Sequence, residues 1–235
     1  MEKIYDYLSA TLPKDHCRQI RALDLIEEYY ATNPQPEQIL DFGCGIGASL
    51  DFFSKNMANA NWSGVDIEES PEVNARTRTD GSFFTYDGVN LPFEADAFDL
   101  IYSNQVLEHV RYPEQVLAEI ARVMKPEGAF IGQTSQLEPY HSYSIFNFTV
   151  YGFKKLCEDN GLQVDMLRPS IDGITLIERS IKERPPHYSR WFVEESPINH
   201  EIERLARKEA KSNAVINYRK LLYCGQFCFV CSKAS

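Results

Sequence analysis

The chain reads as an α/β protein, a largely parallel sheet of seven strands with helices on both faces. Short apolar runs alternate with amphipathic helical stretches through most of its 235 residues, the rhythm of strand–helix–strand crossovers. The first run, Ile39-Leu-Asp-Phe42, ends in a turn rich in glycine, Gly43-Cys-Gly-Ile-Gly47, that opens a helix. No internal repeat or low-complexity segment breaks the order. The crossovers of such a sheet are right-handed, and ligands bind outside the carboxyl ends of its strands.

The elements follow one another plainly. Residues 1–35 read as helical, with Ile20, Leu23, Leu25 and Ile26 on a mixed face, closed by Asn33-Pro34-Gln35-Pro36, where two prolines stop a helix. Strands are then expected at Gln38–Phe42, Trp62–Ile67, Ser82–Tyr86, Phe98–Ser103, Gly128–Thr134 and Leu162–Leu167. Helices are expected between them at Ser49–Met57, Pro71–Arg78, Pro113–Met124 and Thr149–Asp159. The stripe Val116, Leu117, Ile120, Val123 and Met124 repeats at helical spacing. After Arg184-Pro-Pro-His-Tyr188 the rhythm breaks. Pro197–Asn213 reads as one charged amphipathic helix with Ile198, Ile202 and Leu205 inward, Ser196 as its N-cap and Pro197 in the first turn. The last strand, Gln226–Ser232, comes late.

Composition excludes several classes. A hydrophobic share of 43% and a charged share of 25% are ordinary for a globular chain. The formal net charge of −10 argues against a nucleic-acid partner, since phosphate binding needs a basic surface. The basic Arg204, Arg207, Lys208 and Lys211 are interleaved with Glu203 and Glu209 and read as a solvated helix face. No apolar run approaches the ~20 residues of a membrane span, and Met1 to Tyr5 show no signal-peptide pattern. A cytoplasmic location is expected. Six cysteines then read as free thiols. Cys224, Cys228 and Cys231 sit on an apolar strand without zinc spacing.

The glycine turn alone fits three readings. Gly43, Gly45 and Gly47 let backbone approach a ligand closely, and the helix after them points free N–H groups into the same space. Asp41, two residues before the first glycine, suits a cationic ligand such as S-adenosylmethionine. Gly43-x-Gly45-x-x-Ala48 also satisfies the relaxed dinucleotide fingerprint, and some glycine turns hold no ligand. Asp66, ending the second strand in Gly64-Val-Asp-Ile67, can accept the two hydroxyls of a ribose in either nucleotide-type site, or can cap the turn at Ser70-Pro71.

The rest of the chain separates these readings. Tyr86-Asp-Gly-Val-Asn-Leu-Pro-Phe93, Phe98-Asp-Leu-Ile-Tyr-Ser-Asn-Gln-Val-Leu-Glu-His-Val110 and Ala121-Arg-Val-Met-Lys-Pro-Glu-Gly128 follow the glycine turn and Val65-Asp-Ile67 in order. Over roughly residues 36–170 the sequence resembles the small class I S-adenosylmethionine-dependent methyltransferases of the type 11 group, with a Rossmann-like fold. The resemblance implies that Asp41 and Gly43 to Gly47, with Gly45 between, line the methionine and ribose part of the cofactor. It implies that Asp66 holds the ribose hydroxyls and Ile67 the adenine face. Asp87 would accept from the adenine amino group with Gly88 beside it, and Ser103 and Asn104 would border the methionine. Lys125-Pro-Glu-Gly128 would be a structural turn. On this reading 1–235 is a single methyltransferase domain: a helical cap at 1–35, the cofactor-binding core at 36–183, a helical insertion at 184–222 over the site or at an oligomer surface, and the last strand within 223–235.

Methyl transfer is an in-line displacement at a sulfonium, so alignment and exclusion of water supply much of the rate. A hydroxyl acceptor gains from a positioned base and an amine needs only its neutral form. His141, in Leu137-Glu-Pro-Tyr-His-Ser-Tyr-Ser-Ile-Phe-Asn-Phe148 directly after the fifth strand, is the acceptor-side candidate, with Tyr140, Tyr143 and Asn147 around it. His109 is the second candidate, although Leu-Glu-His recurs across the group whatever the acceptor. Gln105 stands where some relatives have an acid that holds a metal, so no metal is expected. The loop and Ser170-Ile-Asp-Gly-Ile-Thr175 resemble, more loosely, methyltransferases of bacterial surface-polysaccharide synthesis. The expected reaction is O-methylation of a small polar acceptor, a sugar, nucleotide-sugar or glycan precursor. The alternatives are N-methylation of an amino sugar or small amine, and a non-catalytic S-adenosylmethionine-binding protein. A homodimer is left open.

Overall fold

The computed structural model describes residues 2–234. Its strands are β1 (Gln38–Phe42), β2 (Asn61–Ile67), β3 (Ser82–Tyr86), β4 (Phe98–Asn104), β5 (Met124–Ser135), β6 (Leu162–Pro169) and β7 (Gln226–Lys233). They form one sheet in the order β3-β2-β1-β4-β5-β7-β6, with β7 antiparallel to both β5 and β6. The helices are α1 (Glu2–Leu8), α2 (Ala22–Tyr30), α3 (Ser49–Asn56), α4 (Pro71–Asn74), α5 (Pro113–Val123), α6 (Val150–Asp159), α7 (Gly173–Ile181), α8 (Pro197–Lys208) and α9 (Asn213–Leu221). This is the expected Rossmann-like α/β architecture. The strand order reverses between β1 and β4, which opens a crevice at their carboxyl ends.

Side-chain alternation builds two cores, one on each face. Ile39, Leu100, Tyr102, Ala129 and Ile131 point to one face and pack with Leu25 and Ile26 of α2 and Leu50 and Phe53 of α3. Leu40, Phe42, Ile101 and Phe130 point to the other, against Val116, Leu117 and Ile120 of α5, Phe153 of α6 and Leu221 of α9. Both faces are covered, so the parallel strands read as continuous apolar runs. Burying one ring such as Phe153 is worth about 1.5–3 kcal/mol relative to exposure.

Several local expectations are corrected. Residues 12–21 are not helical. Beyond Pro13 the backbone is strapped to the C-terminal half: Asn217 donates to the Pro13 and His16 carbonyls at 3.0 and 2.8 Å, and Ile20 N–H donates to Pro169 at 3.0 Å. The helix expected over Pro71–Arg78 stops at Asn74 after one turn, capped by Ser70 rather than by Asp66. The stretch Lys125–Gly128 lies inside β5, where the register against β4 shifts between Phe98 and Leu100. The helix expected over Pro197–Asn213 is α8 and ends at Lys208, before Ala210 takes φ +53°, and a further helix, α9, starts at Asn213.

On α8 the inward positions are Asn199 and Ala206, while Leu205 is 45% exposed. A polar anchor sets that face: Asn199 donates to Gln19 Oε1 at 2.9 Å and the Ser170 carbonyl at 2.8 Å. Ser196 holds the cap position, but its hydroxyl accepts the Asp172 N–H at 3.2 Å instead of a helix amide. α7 was not expected. Asp172 caps it, accepting from Thr175 N–H at 2.7 Å and Thr175 Oγ1 at 2.8 Å. Among the described residues, none of 184–222 lines the cleft, and α9 belongs to the main core. The six cysteines are free and buried.

Candidate active site

A cleft of about 710 Å³ opens at the carboxyl ends of β1, β2, β3 and β4. That size lies within the roughly 300–1,000 Å³ of small-molecule sites. Gly43 and Gly45 line it from the β1 turn, Asp66 and Ile67 from the end of β2, Asp87 and Gly88 from the end of β3, and Asn104 from the end of β4. His109, His141 and Tyr143 line it from the loops after β4 and β5. Ten of the thirteen residues singled out from the sequence therefore meet in one place.

The other three lie behind it. Asp41 is 3% exposed and accepts the Ser49 hydroxyl, which in turn accepts from Trp62 Nε1 at 3.2 Å. This chain ties β1, α3 and β2 together behind the glycine turn. Burial pushes the Asp41 carboxyl up to about 7, and the residue lies behind the cleft lining. Gly47 and Ser103 also fall outside the lining. A Cβ on Gly47 would meet Phe83 Cζ at 2.8 Å, which makes its requirement one of packing. Ser103 is fully buried and its hydroxyl has no hydrogen-bond partner.

The β2 and β3 ends carry two carboxylates in different states. Asp66 Oδ2 accepts the Gly45 N–H at 2.7 Å and Oδ1 the Ile67 N–H at 2.8 Å. Its carboxyl lies above the usual range, because burial outweighs those two amides. Asp87 is exposed and held below the usual range, first by the Asn90 side chain and then by the Asn90 and Val89 amides. Gly88 takes φ +92° beside it, and a Cβ there would meet nothing within 4 Å, so this backbone faces open space.

The β4 and β5 loops carry a polar cluster that the sequence reading only partly named. Glu108, fully buried, accepts from Thr134 Oγ1 at 2.9 Å and Ser135 Oγ at 3.1 Å. Ser135 Oγ also lies 2.6 Å from Glu138 Oε2. Gln105, in the left-handed region at φ +57°, turns its amide nitrogen to Glu108 Oε1 and Glu138 Oε2 at 3.0 Å each. His141 stands between the two acids: Nε2 is 3.9 Å from Glu108 Oε1, and Nδ1 is 3.9 Å from Glu138 Oε1 and 3.3 Å from the Pro139 carbonyl. Burial raises the Glu108 carboxyl and lowers His109.

The His109 and His141 rings meet edge to face at 5.3 Å. Tyr143 is 73% exposed at the mouth, Tyr140 faces solvent, and Asn147 donates to the Glu138 carbonyl at 3.0 Å, holding the loop to itself. Glu108 and Glu138 were missed. A glutamate inside the apolar run Val106-Leu-Glu-His-Val110 was the available signal, because a buried carboxylate needs partners. Gln105 stands in this cluster as an amide where a metal-holding acid would offer a carboxylate. The structure nonetheless brings donor atoms of Glu108, His109 and His141 within 4.8 Å of one another, a grouping hidden by the 31 residues between His109 and His141.

Comparison with known proteins agrees with this geometry. Residues 40–132 match the family model for a methyltransferase domain of the type 11 group. The methyltransferase GfsG of Streptomyces halstedii is 31% identical over 97 residues, 39% of this chain and 35% of that protein. The phthiotriol/phenolphthiotriol dimycocerosates methyltransferase of Mycobacterium tuberculosis is 28% identical over 112 residues, 45% of this chain and 42% of that protein. The chain thus spans less than half the length of these curated relatives. Among solved structures, an S-adenosylmethionine-dependent methyltransferase from Mesorhizobium loti superposes with a TM-score of 0.54 at 15% identity, covering 90% of this chain and 100% of that one. The chain shares the fold of these solved methyltransferases, and its residues 40–132 are the part that matches the methyltransferase-domain model.

Proposed function

We propose that the protein moves the methyl group of S-adenosylmethionine to a hydroxyl of a small polar acceptor in the cytoplasm, a sugar, nucleotide-sugar or glycan precursor. The observation that carries this reading is the division of one cleft into two chemically different ends. On the β2 and β3 side stand Asp66, Ile67, Asp87 and Gly88, suited to a ribose and an adenine. Three strand spacings away, roughly 14 Å, the β5 loop presents His141. When bound, S-adenosylmethionine supplies an electrophilic methyl group.

The chain's own residues do the rest. Asp66 accepts the ribose hydroxyls, Asp87 accepts from the adenine amino group, and Gly43, Gly45 and Asn104 border the methionine part. His141 takes the proton of the acceptor hydroxyl, with its ring steadied by the Pro139 carbonyl and Glu138. His109 stacks edge-on against it and Tyr143 closes the mouth. No metal enters this reading, because Gln105 offers an amide beside Glu108 and Thr134 Oγ1 donates to one Glu108 oxygen at 2.9 Å.

One observation favours an amine acceptor as the second reading. Glu108 and Glu138 lie together with no arginine or lysine in hydrogen-bond contact among the described residues, so a cationic amine would complete the charge. The net charge of −10 supports a small acceptor over nucleic acid. Ile174, Ile177 and Ile181 on one face of α7 are 54, 45 and 77% exposed and support a homodimer. Six buried thiols support a reducing compartment.

The test is turnover of S-adenosylmethionine to S-adenosylhomocysteine with hydroxyl and amine acceptor panels, in the wild type and His141→Ala. The variant is expected to lose about 10²-fold or more in kcat on a hydroxyl acceptor with donor affinity unchanged. Full turnover by His141→Ala on the hydroxyl acceptor would sink the base assignment. Turnover confined to amines would replace the first reading with the second, and none with either panel would leave a non-catalytic binding protein.

A further inference from the structure

Two arginines grip the glycine turn from outside the cleft. Arg76 Nε donates to the Gly45 carbonyl at 2.7 Å, and Arg78 Nη1 donates to the Gly47 carbonyl at 2.7 Å. Both come from the segment that leaves the helical path after α4, which is why that helix is one turn long and not two. Neither lines the cleft.

Each guanidinium is itself held. Arg76 lies 4.2 Å from the centroid of the Phe83 ring on β3 and directs Nη2 to Cys44 Sγ at 3.5 Å. Arg78 spreads its fork over Asp80 and Asp51, at 2.8 Å in each bond, and so joins the turn to the start of α3. Exposed ion pairs of this kind contribute little by themselves. Their use here is to aim the arm that reaches the carbonyl.

The turn needs such partners. Gly43, Gly45 and Gly47 take φ of +75°, +50° and +78°, a path without helix or ladder bonds for every peptide. Gly45 is fixed from two sides: its N–H donates to Asp66 and its carbonyl accepts from Arg76. The positive charge of Arg76 also favours the ionised form of Asp66. Charge-assisted bonds of this type are about twice as strong as neutral ones.

We propose that Arg76 and Arg78 are positioning residues for the methyl donor, setting the glycine turn in the arrangement that meets its methionine part. The proposal rests on the reading of the cleft as the donor's site. Without the two arms the turn must be ordered at each binding event, and that cost is taken from affinity.

The test is calorimetric titration of S-adenosylhomocysteine and of adenosine into the wild type and R76A/R78A. Adenosine lacks the methionine part that meets the turn. The double variant is expected to bind S-adenosylhomocysteine about tenfold or more weaker, with adenosine changed by less than about twofold. R76K and R78K, which keep one charged donor each, should recover part of the loss. Unchanged S-adenosylhomocysteine affinity in the double variant, or equal losses for both ligands, would overturn the proposal. A wild type that binds neither ligand would instead overturn the reading of the cleft. If R76A/R78A does not fold, R76Q and R78Q are judged by the same pair of titrations.

Discussion

Asp41 on β1 and Asp66 at the end of β2 show how placement about the glycine turn separates two acids. Asp41 is sealed behind the turn and raised from 3.8 to about 7 by burial. A carboxyl raised in the folded state adds stability below its unfolded value, and that stability is lost as pH rises through the folded value. The wild type is therefore expected to lose stability between about pH 4 and pH 7 on account of this group. Asp41→Asn keeps a neutral partner for Ser49, so its urea midpoint should be flatter over that interval. Parallel pH curves for the two proteins would contradict this. Asp66 faces the cleft, where truncation strands a ligand's polar groups. Asp66→Ala should weaken S-adenosylhomocysteine binding by roughly 1–3 kcal/mol. Undiminished binding by calorimetry would remove Asp66 from the donor's site.

At the scale of elements, three helices carry local side-chain caps, from Ser70, Thr149 and Asp172. Thr149 and Ser70 cap α6 and α4 from within their own segments, and both elements were legible in the sequence. α7 was not, because its cap is Asp172, a fully buried acid inside what reads as a turn. That carboxylate accepts two bonds from Thr175. Asp172→Ala should cost about 2 kcal/mol, the upper range for a helix cap, with a further penalty for stranding Thr175. Denaturant unfolding checks this, and a loss below about 0.5 kcal/mol would show that α7 is held by packing alone. α8 teaches the opposite lesson. Its apolar periodicity points Leu205 inward, but the Asn199 bonds to Gln19 and Ser170 rotate the helix so that Ala206 is buried instead.

For the whole molecule, the strand order joins distant segments into one cleft. Activity is expected to survive exhaustive EDTA treatment, since Gln105 offers an amide and Glu108 is engaged by Thr134 and Ser135. Activity lost to EDTA and restored by a divalent ion would assign the Glu108, His109 and His141 group to metal chemistry. Among the described residues, no helix is long and apolar enough to cross a membrane.

The sequence by itself determined the α/β class, all seven strands to within a few residues, and most of the named residues that line the cleft. These rest on short-range physics: apolar runs for buried strands, glycine for positive φ, and an acid at a strand end. Tertiary structure alone decided which acid lines the cleft, how far α4 runs, and what surrounds His141. Glu108 and Glu138 are 30 residues apart, and Arg76 and Arg78 each lie 31 residues beyond the glycine whose carbonyl they hold. Such contacts depend on the order of strands in the sheet, and no local period of the chain encodes that order.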